Sequence, residues 1–179
     1  MVTNGKLCSS NVYDLIRVKG TKQMWMPFIW KAYIPPKFSF IAWLAFRNRL
    51  ATYDNLSRLD VINICPFCKG EPETVPHLFF GCQFTGTVWS KVRAWIGIPR
   101  QMSTLESSVK WIRKEHAGAG IKAKAVRIAF IYTIYWLWRV RNATRFDDKK
   151  TQEEDVFARI QYMVYKILYS IYPHELITF

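Results

Sequence analysis

Four side chains set the strongest constraint on what this sequence can become. Within CPFCKGEPETVPHLFFGC the spacing is Cys65-x2-Cys68-x8-His77-x4-Cys82. A C-x2-C turn lets two thiolates point at one ion, and the excursion Lys69-Gly70-Glu71-Pro72-Glu73 carries turn residues able to bring His77 and Cys82 back to it. Three thiolates and an imidazole match a tetrahedral zinc and leave no open position, so the spacing predicts a structural rather than a catalytic site. Metal binding would then be coupled to folding of this segment and contribute several kcal/mol, on the order of the lower values for zinc peptides. The alternatives are two unrelated pairs or a redox C-x2-C. The redox version needs a strand–helix context that this turn-rich stretch lacks. Cys8 stays outside the set as a free thiol, and His116 and His174 read as surface histidines.

A loop of this kind needs a core to sit on, and composition supplies one. Half of the 179 residues are hydrophobic and 16% are aromatic, enough apolar surface to exclude a disordered basic tail. The N-terminus has no apolar stretch of signal-peptide length. The most apolar run, Ile128 to Trp138, is eleven residues between Arg127 and Arg139. A spanning helix needs about 20 apolar residues, so this run is expected as the middle of a buried helix, with no transmembrane segment. Cysteines without a signal peptide point to a reducing, intracellular compartment.

Helical signals run the length of the chain. Pro36 suits the first turn of a helix through FSFIAWLAFRNRL, and Thr52 can cap YDNLSRLD. A helix from about Thr85 to Ile96 would bury Val88, Val92 and Trp95 before Gly97 and Pro99 stop it. Ser103 with Glu106 forms a capping-box pattern, and a long helix is expected from about Ile121 to Phe146. Thr151 with Glu154 is a second capping box, opening a helix with Val156, Ile160, Met163, Ile167 and Ile171 on one face. No period-2 alternation appears. The fold class read from the sequence is all-α, a helical domain with one zinc-stapled Cys/His loop.

The residues around the loop carry a resemblance. SSNVYDLI, Trp30-Lys31 with Pro35-Pro36-Lys37, and FIAWLAFRNRLATYDNLSRL, which fits W-x5-R-L-x-T-x3-L, precede CPFC…ETVPHLFFGC and Val88-Trp89. Further on, Trp138, Arg141, Asn142 and Phe146 fit W-x-x-R-N-x-x-x-F. Together these resemble the zinc-binding domain that follows the polymerase in plant non-LTR (LINE-type) retrotransposon reverse transcriptases. The resemblance implies a zinc held by Cys65, Cys68, His77 and Cys82. It divides the chain into an N-terminal segment with a short helix (1–24), a reverse-transcriptase-type zinc-binding domain (25–100) and a helical extension packed on it (101–179). Ten residues before Asn11 leave no polymerase, so the expectation is a stand-alone or domesticated fragment. Asp147-Asp148 after Phe146 resembles a polymerase catalytic dipeptide, but two-metal chemistry also needs a distant third carboxylate, and the pair reads as a helix-end loop.

Charge points to a partner. Lys and Arg outnumber Asp and Glu by 26 to 13, and residues 83–150 alone carry fourteen basic against four acidic side chains. Such self-repulsion favours a polyanion, RNA or DNA, bound mainly through phosphate. The candidates are Arg47 and Arg49 beside Phe46; Lys110, Arg113 and Lys114 around Trp111; Lys122 and Lys124; and Arg139, Arg141 and Arg145. Arg141 and Arg145 are one turn apart and would bracket a phosphate, or Arg141 would cap carbonyls at a helix end. Tyr162, Tyr165, Tyr169 and Tyr172 form a stripe expected at the rim of a core. A different class of function, a domesticated regulatory, toxin-like or immune-related factor acting through an aromatic interface with a protein partner or itself, also fits. No nucleophile–base pair or phosphate-binding glycine loop is visible, so the expectation is a non-enzyme with no small-molecule substrate, in the nucleus rather than the cytoplasm.

Overall fold

The apolar run from Ile128 to Trp138 does become the middle of a helix, and the other elements are arranged around it. The computed structural model describes residues 23–56 and 62–177, together with Tyr13, Ile16 and Thr21. Cys8, most of SSNVYDLI and residues 57–60 of the expected YDNLSRLD helix lie outside the described residues. Tyr13 and Ile16 are helical, and after them the α-helices of the described residues are, in chain order, α1 (Met26–Ile29), α2 (Pro36–Phe46), α3 (Gln83–Ile96), α4 (Leu105–Glu115), α5 (Ile121–Phe146) and α6 (Glu153–Ile171). Short 3-10 turns occupy Asp54–Leu56 and His174–Leu176, and a π-helical turn runs over His77–Gly81. The described residues contain no strand, so the fold is all-α.

α5 is apolar on every side because it is packed on several: α2, α3 and α6 all lie against it. Ile128, Ala129, Phe130, Ile131, Tyr132, Thr133 and Ile134 are consecutive and all buried, which a surface helix could not tolerate. Phe38 of α2 stacks on Tyr132 at 3.9 Å, and Trp89 of α3 reaches Phe130 at 5.5 Å. One contiguous apolar cluster runs from Trp25 to Ile177, crossing the expected boundary at residue 100. Ser39 Oγ donates to the Ile29 carbonyl at 2.7 Å and ties α1 to α2.

Two helix caps depart from the sequence reading. The cap of α4 is Thr104 rather than Ser103: its Oγ1 accepts from Ser107 N–H at 3.1 Å, and Ser107 Oγ accepts from Thr104 N–H at 3.3 Å. Thr104 is the residue with extended backbone immediately before the first helical turn, so the box closes on Ser107 and not Glu106. α6 has Gln152 at its N-cap with no side-chain cap, in place of the expected Thr151–Glu154 box. Glu154 instead reaches Lys91 of α3 at 2.8 Å, and that hydrogen bond holds its carboxyl below the usual range.

The buried face of α6 is Val156, Ile160, Val164, Ile167 and Leu168. Met163 is only half-buried and Ile171 is 36% exposed, because the contact drifts round the helix toward Val164 and Leu168 in the last turns. Trp95 is likewise half-buried rather than core, edge-on to Phe157 and Tyr165. The tyrosine stripe lies at the rim: Tyr169 stacks on His174 at 4.2 Å, and Tyr172 Oη donates to the Ala119 carbonyl at 3.3 Å. His116 is half-buried against Trp111, and desolvation followed by the Lys122 charge lowers its pKa.

Tyr132 is the polar exception in the centre. Its ring is fully buried, its hydroxyl has no hydrogen-bond partner among the described residues, and burial pushes its phenol well above the ordinary value. Tyr132→Phe keeps the stack on Phe38 and removes the orphaned hydroxyl. Thermal and urea melts of this variant are expected to show stability unchanged or raised by up to about 1–2 kcal/mol.

Candidate functional site

The Cys/His loop is built by local hydrogen bonds before any metal is considered. Cys65 N–H donates to the Glu71 carbonyl at 2.8 Å, and Lys69 N–H donates back to the Cys65 carbonyl at 3.0 Å. Lys69 sits at φ 57°, the left-handed conformation that reverses the chain after Cys68. Asn63 Oδ1 accepts from Glu73 N–H at 2.8 Å and closes the base of the loop. Phe67, between the two cysteines, stacks on Phe84 of α3 at 4.5 Å and clips the turn to that helix.

The second pair of ligands is placed by the π-helical turn. Thr74 Oγ1 accepts from His77 N–H at 3.1 Å and the Thr74 carbonyl accepts from Leu78 N–H at 2.8 Å, so Thr74 starts the turn. Cys82 N–H then donates to the His77 carbonyl at 2.8 Å, across five residues. In an α-helix residues five apart point about 140° away from each other; the wider turn brings them round toward one side. Trp89 Nε1 donates to the Phe79 carbonyl at 2.7 Å and braces the turn from α3. A side chain at Gly81 would place its Cβ 3.2 Å from His77 Nδ1, so glycine leaves the imidazole its space.

These two pieces bring all four donor atoms within 4.8 Å of one another. Cys65 Sγ and Cys82 Sγ are 3.9 Å apart, and Cys68 Sγ and His77 Nε2 are 3.4 Å apart. A tetrahedron with Zn–S near 2.3 Å has edges of about 3.8 Å, so the donor set fits zinc. Cys65 and Cys82 are buried and Cys68 lies on the outer side. The Cys65–Cys82 hydrogen bond raises the Cys65 thiol and lowers that of Cys82. With four protein donors for four positions, the ion this cluster suits is a structural zinc.

Between Cys68 and His77 the loop carries a second anchor. Glu73 is fully buried and receives Arg141 of α5 in a two-pronged pair, Nε to Oε1 at 2.6 Å and Nη2 to Oε2 at 2.5 Å. Tyr53 N–H also donates to Glu73 Oε2 at 2.8 Å, and Arg141 Nη1 donates to Asn142 Oδ1 at 3.0 Å. The guanidinium is held between the rings of Trp138 and Tyr53, at 4.9 and 5.3 Å. Arg141 is therefore removed from the nucleic-acid candidates: at 1% exposure it can neither bracket a phosphate with Arg145 nor cap the helix end. Arg145 lies over Tyr53 at 4.1 Å instead. The signal for this pair was present in the sequence, since Glu73 falls inside the metal-loop motif and Arg141 inside the downstream one.

The remaining basic candidates separate by environment. Arg47 and Arg113 line one cleft of about 710 Å³ with Trp43, Trp25 and Met26, although 66 positions separate them in sequence. Arg113 also borders a smaller cleft with Lys31 and Arg127, two residues the sequence reading missed. Lys110 is exposed one turn before Arg113 on α4. Lys114 is exposed and pairs with Glu115 at 3.6 Å. Lys122 donates to the Ile96 carbonyl at the end of α3, and Lys124 lies over Tyr172 and Tyr33. Arg49 is exposed after α2. Arg139 lies far along α5, over Trp136 at 5.3 Å. Two candidates thus meet, and the others do not join them.

Comparison with known proteins bears on the loop. Residues 8–89 match the family model for zinc-binding in reverse transcriptase, a match that ends on the tryptophan bracing the π-helical turn. No curated protein and no solved structure matches the chain. No helix among the described residues is long and apolar enough to cross a membrane.

Both anchors of the loop can be removed separately. Stripping the metal with a chelator is expected to lower the melting temperature, with zinc restoring it. Arg141→Ala, which strands Glu73 in the interior, is expected to cost about 3–5 kcal/mol in urea unfolding, and Glu73→Leu with Arg141→Met far less than that.

Proposed function

We propose that this chain, whose residues 8–89 are a zinc-binding domain of the reverse-transcriptase kind, is a non-enzymatic module that grips RNA or DNA. The observation that carries the reading is the meeting of Arg47 and Arg113 on one cleft, with Lys31 and Arg127 on the adjoining one and Trp43 beside them. Cations that track a backbone and an indole on which a base can stack are what sequence-tolerant recognition of a single strand requires. Zinc has no part in that contact; it would close the loop on itself. Origin in a plant non-LTR retrotransposon belongs to the same proposal, supported by the downstream motif Trp138, Arg141, Asn142 and Phe146, and work in the nucleus is proposed as a consequence of that origin.

A second reading, a protein-interaction module, has its own observation. Beside the zinc loop lies an apolar groove lined by Phe46, Val75, Pro76, Phe80 and Leu105, with Asp54 and Glu106 at its edge. Self-association through this groove would appear as a dimer in light scattering, abolished in Phe80→Ser.

Fluorescence anisotropy with generic RNA and single-stranded DNA tests the leading reading. Binding is expected to weaken steeply with salt. Arg47→Ala with Arg113→Ala is expected to lower the slope of log K against log salt by about 0.7 for each phosphate the variant no longer neutralises. No binding at about 50 mM salt would overturn the reading, since electrostatic affinity is strongest there.

A further inference from the structure

The end of α5 and the start of α6 meet in a cleft of about 150 Å³ that no part of the zinc domain touches. Trp136, Arg139, Lys149, Lys150 and Arg159 line it, with Asp155 as its one carboxylate. Arg139 comes from α5 and Arg159 from α6, and their guanidiniums lie over the same Trp136 ring at 5.3 and 5.4 Å. Among the described residues none of the four cations has a carboxylate within ion-pair distance. The neighbouring acidic side chains do not neutralise the cleft: Glu154 is taken by Lys91, and Asp147 and Asp148 do not line it.

Four cations against one anion in a small concave space repel one another. An indole face offsets part of that for two guanidiniums. A tetrahedral oxyanion would offset the rest, since guanidinium and ammonium groups from two helices and a loop present donors from several directions. The volume suits such a group: it corresponds to about five water volumes, room for a phosphate with part of its hydration but not for a base and sugar.

We propose that this cleft is a phosphate-binding site, formed by Arg139, Arg159, Lys149 and Lys150 on the floor of Trp136. It shares no residue with the Arg47–Arg113 cleft, so the two proposals stand or fall separately. The phosphate comes either from a free anion or from a nucleic-acid strand.

Isothermal titration with inorganic phosphate tests the site on the full chain. Arg139 and Arg159 are both exposed, so Arg139→Gln with Arg159→Gln leaves the core intact. This double variant is expected to bind phosphate about tenfold more weakly, as follows from removing at least one charge-assisted hydrogen bond. Lys110→Gln with Lys114→Gln, which removes the same charge from α4, is expected to bind as the unmodified chain does. Equal weakening in both variants, or no phosphate binding by the unmodified chain, overturns the proposal. Competition then names the source. Displacement of phosphate by a 5′-phosphorylated oligonucleotide alone assigns a strand end, displacement by phosphorylated and unphosphorylated strands alike assigns an internal phosphodiester, and displacement by neither assigns a free anion.

Discussion

The pair between Glu73 and Arg141 fixes where the zinc loop sits, and most of the structure follows from that seating. Neither partner is solvated, so the carboxylate and guanidinium have given up water and must recover it from protein groups. They do so almost completely, with two bonds to each other, Tyr53 N–H on the carboxylate, Asn142 on the guanidinium, and two rings against its faces. A buried pair of this kind is weak evidence for stability, because desolvation cancels much of the attraction. Its value lies in register: one seating of the loop on α5 satisfies every partner, and any displacement leaves a charge stranded in an apolar interior.

The metal and the ion pair then divide the work. Zinc would close the segment from Cys65 to Cys82 on itself, through ligands that the loop's own hydrogen bonds have already gathered. The ion pair and Phe67 and Trp89 dock that closed segment on α5 and α3. Glu73 lies between the second and third metal ligands, so the two devices share one stretch of backbone. Metal binding and docking are therefore coupled through geometry, although no donor of one touches a donor of the other.

Much of this was legible in the sequence, and the failures have physical causes. The ligand cluster and the long buried helix could be read because spacing and unbroken apolarity are local properties. α3, expected from about Thr85, starts at Gln83, and Thr85 Oγ1 turns back to the Cys82 carbonyl in its first turn. The caps of α4 and α6 slipped because Ser, Thr and Glu near a helix start compete for the same role, and a tertiary partner such as Lys91 decides between them. Arg141 was misread for a deeper reason. In one dimension an arginine one turn from another arginine on a basic helix looks solvated, and only a partner 68 positions away turns it inward. Both residues belong to motifs, and a charged residue in a motif is as much a packing signal as a binding one.

Removing Arg141 from the surface sharpens what the excess of basic residues can do. Lys122 holds a helix end, Lys124 and Arg145 lie on tyrosine rings, and Lys114 has a neighbouring glutamate. The basic groups gathered into clefts fall in two areas, one around Arg113 and Arg127 and one around Arg139 and Arg159. Arg127 and Arg139 belong to one continuous helix, twelve residues apart, which sets them about 18 Å apart along its axis and about 120° apart round it. α5 is buried along most of its length, so that separation is held by the core and does not vary with the surface side chains. A small anion can satisfy one area only, whereas a polymer with regularly spaced phosphates can engage both. If both proposed clefts hold phosphate, their rigid spacing fits an extended polyanion better than a compact one.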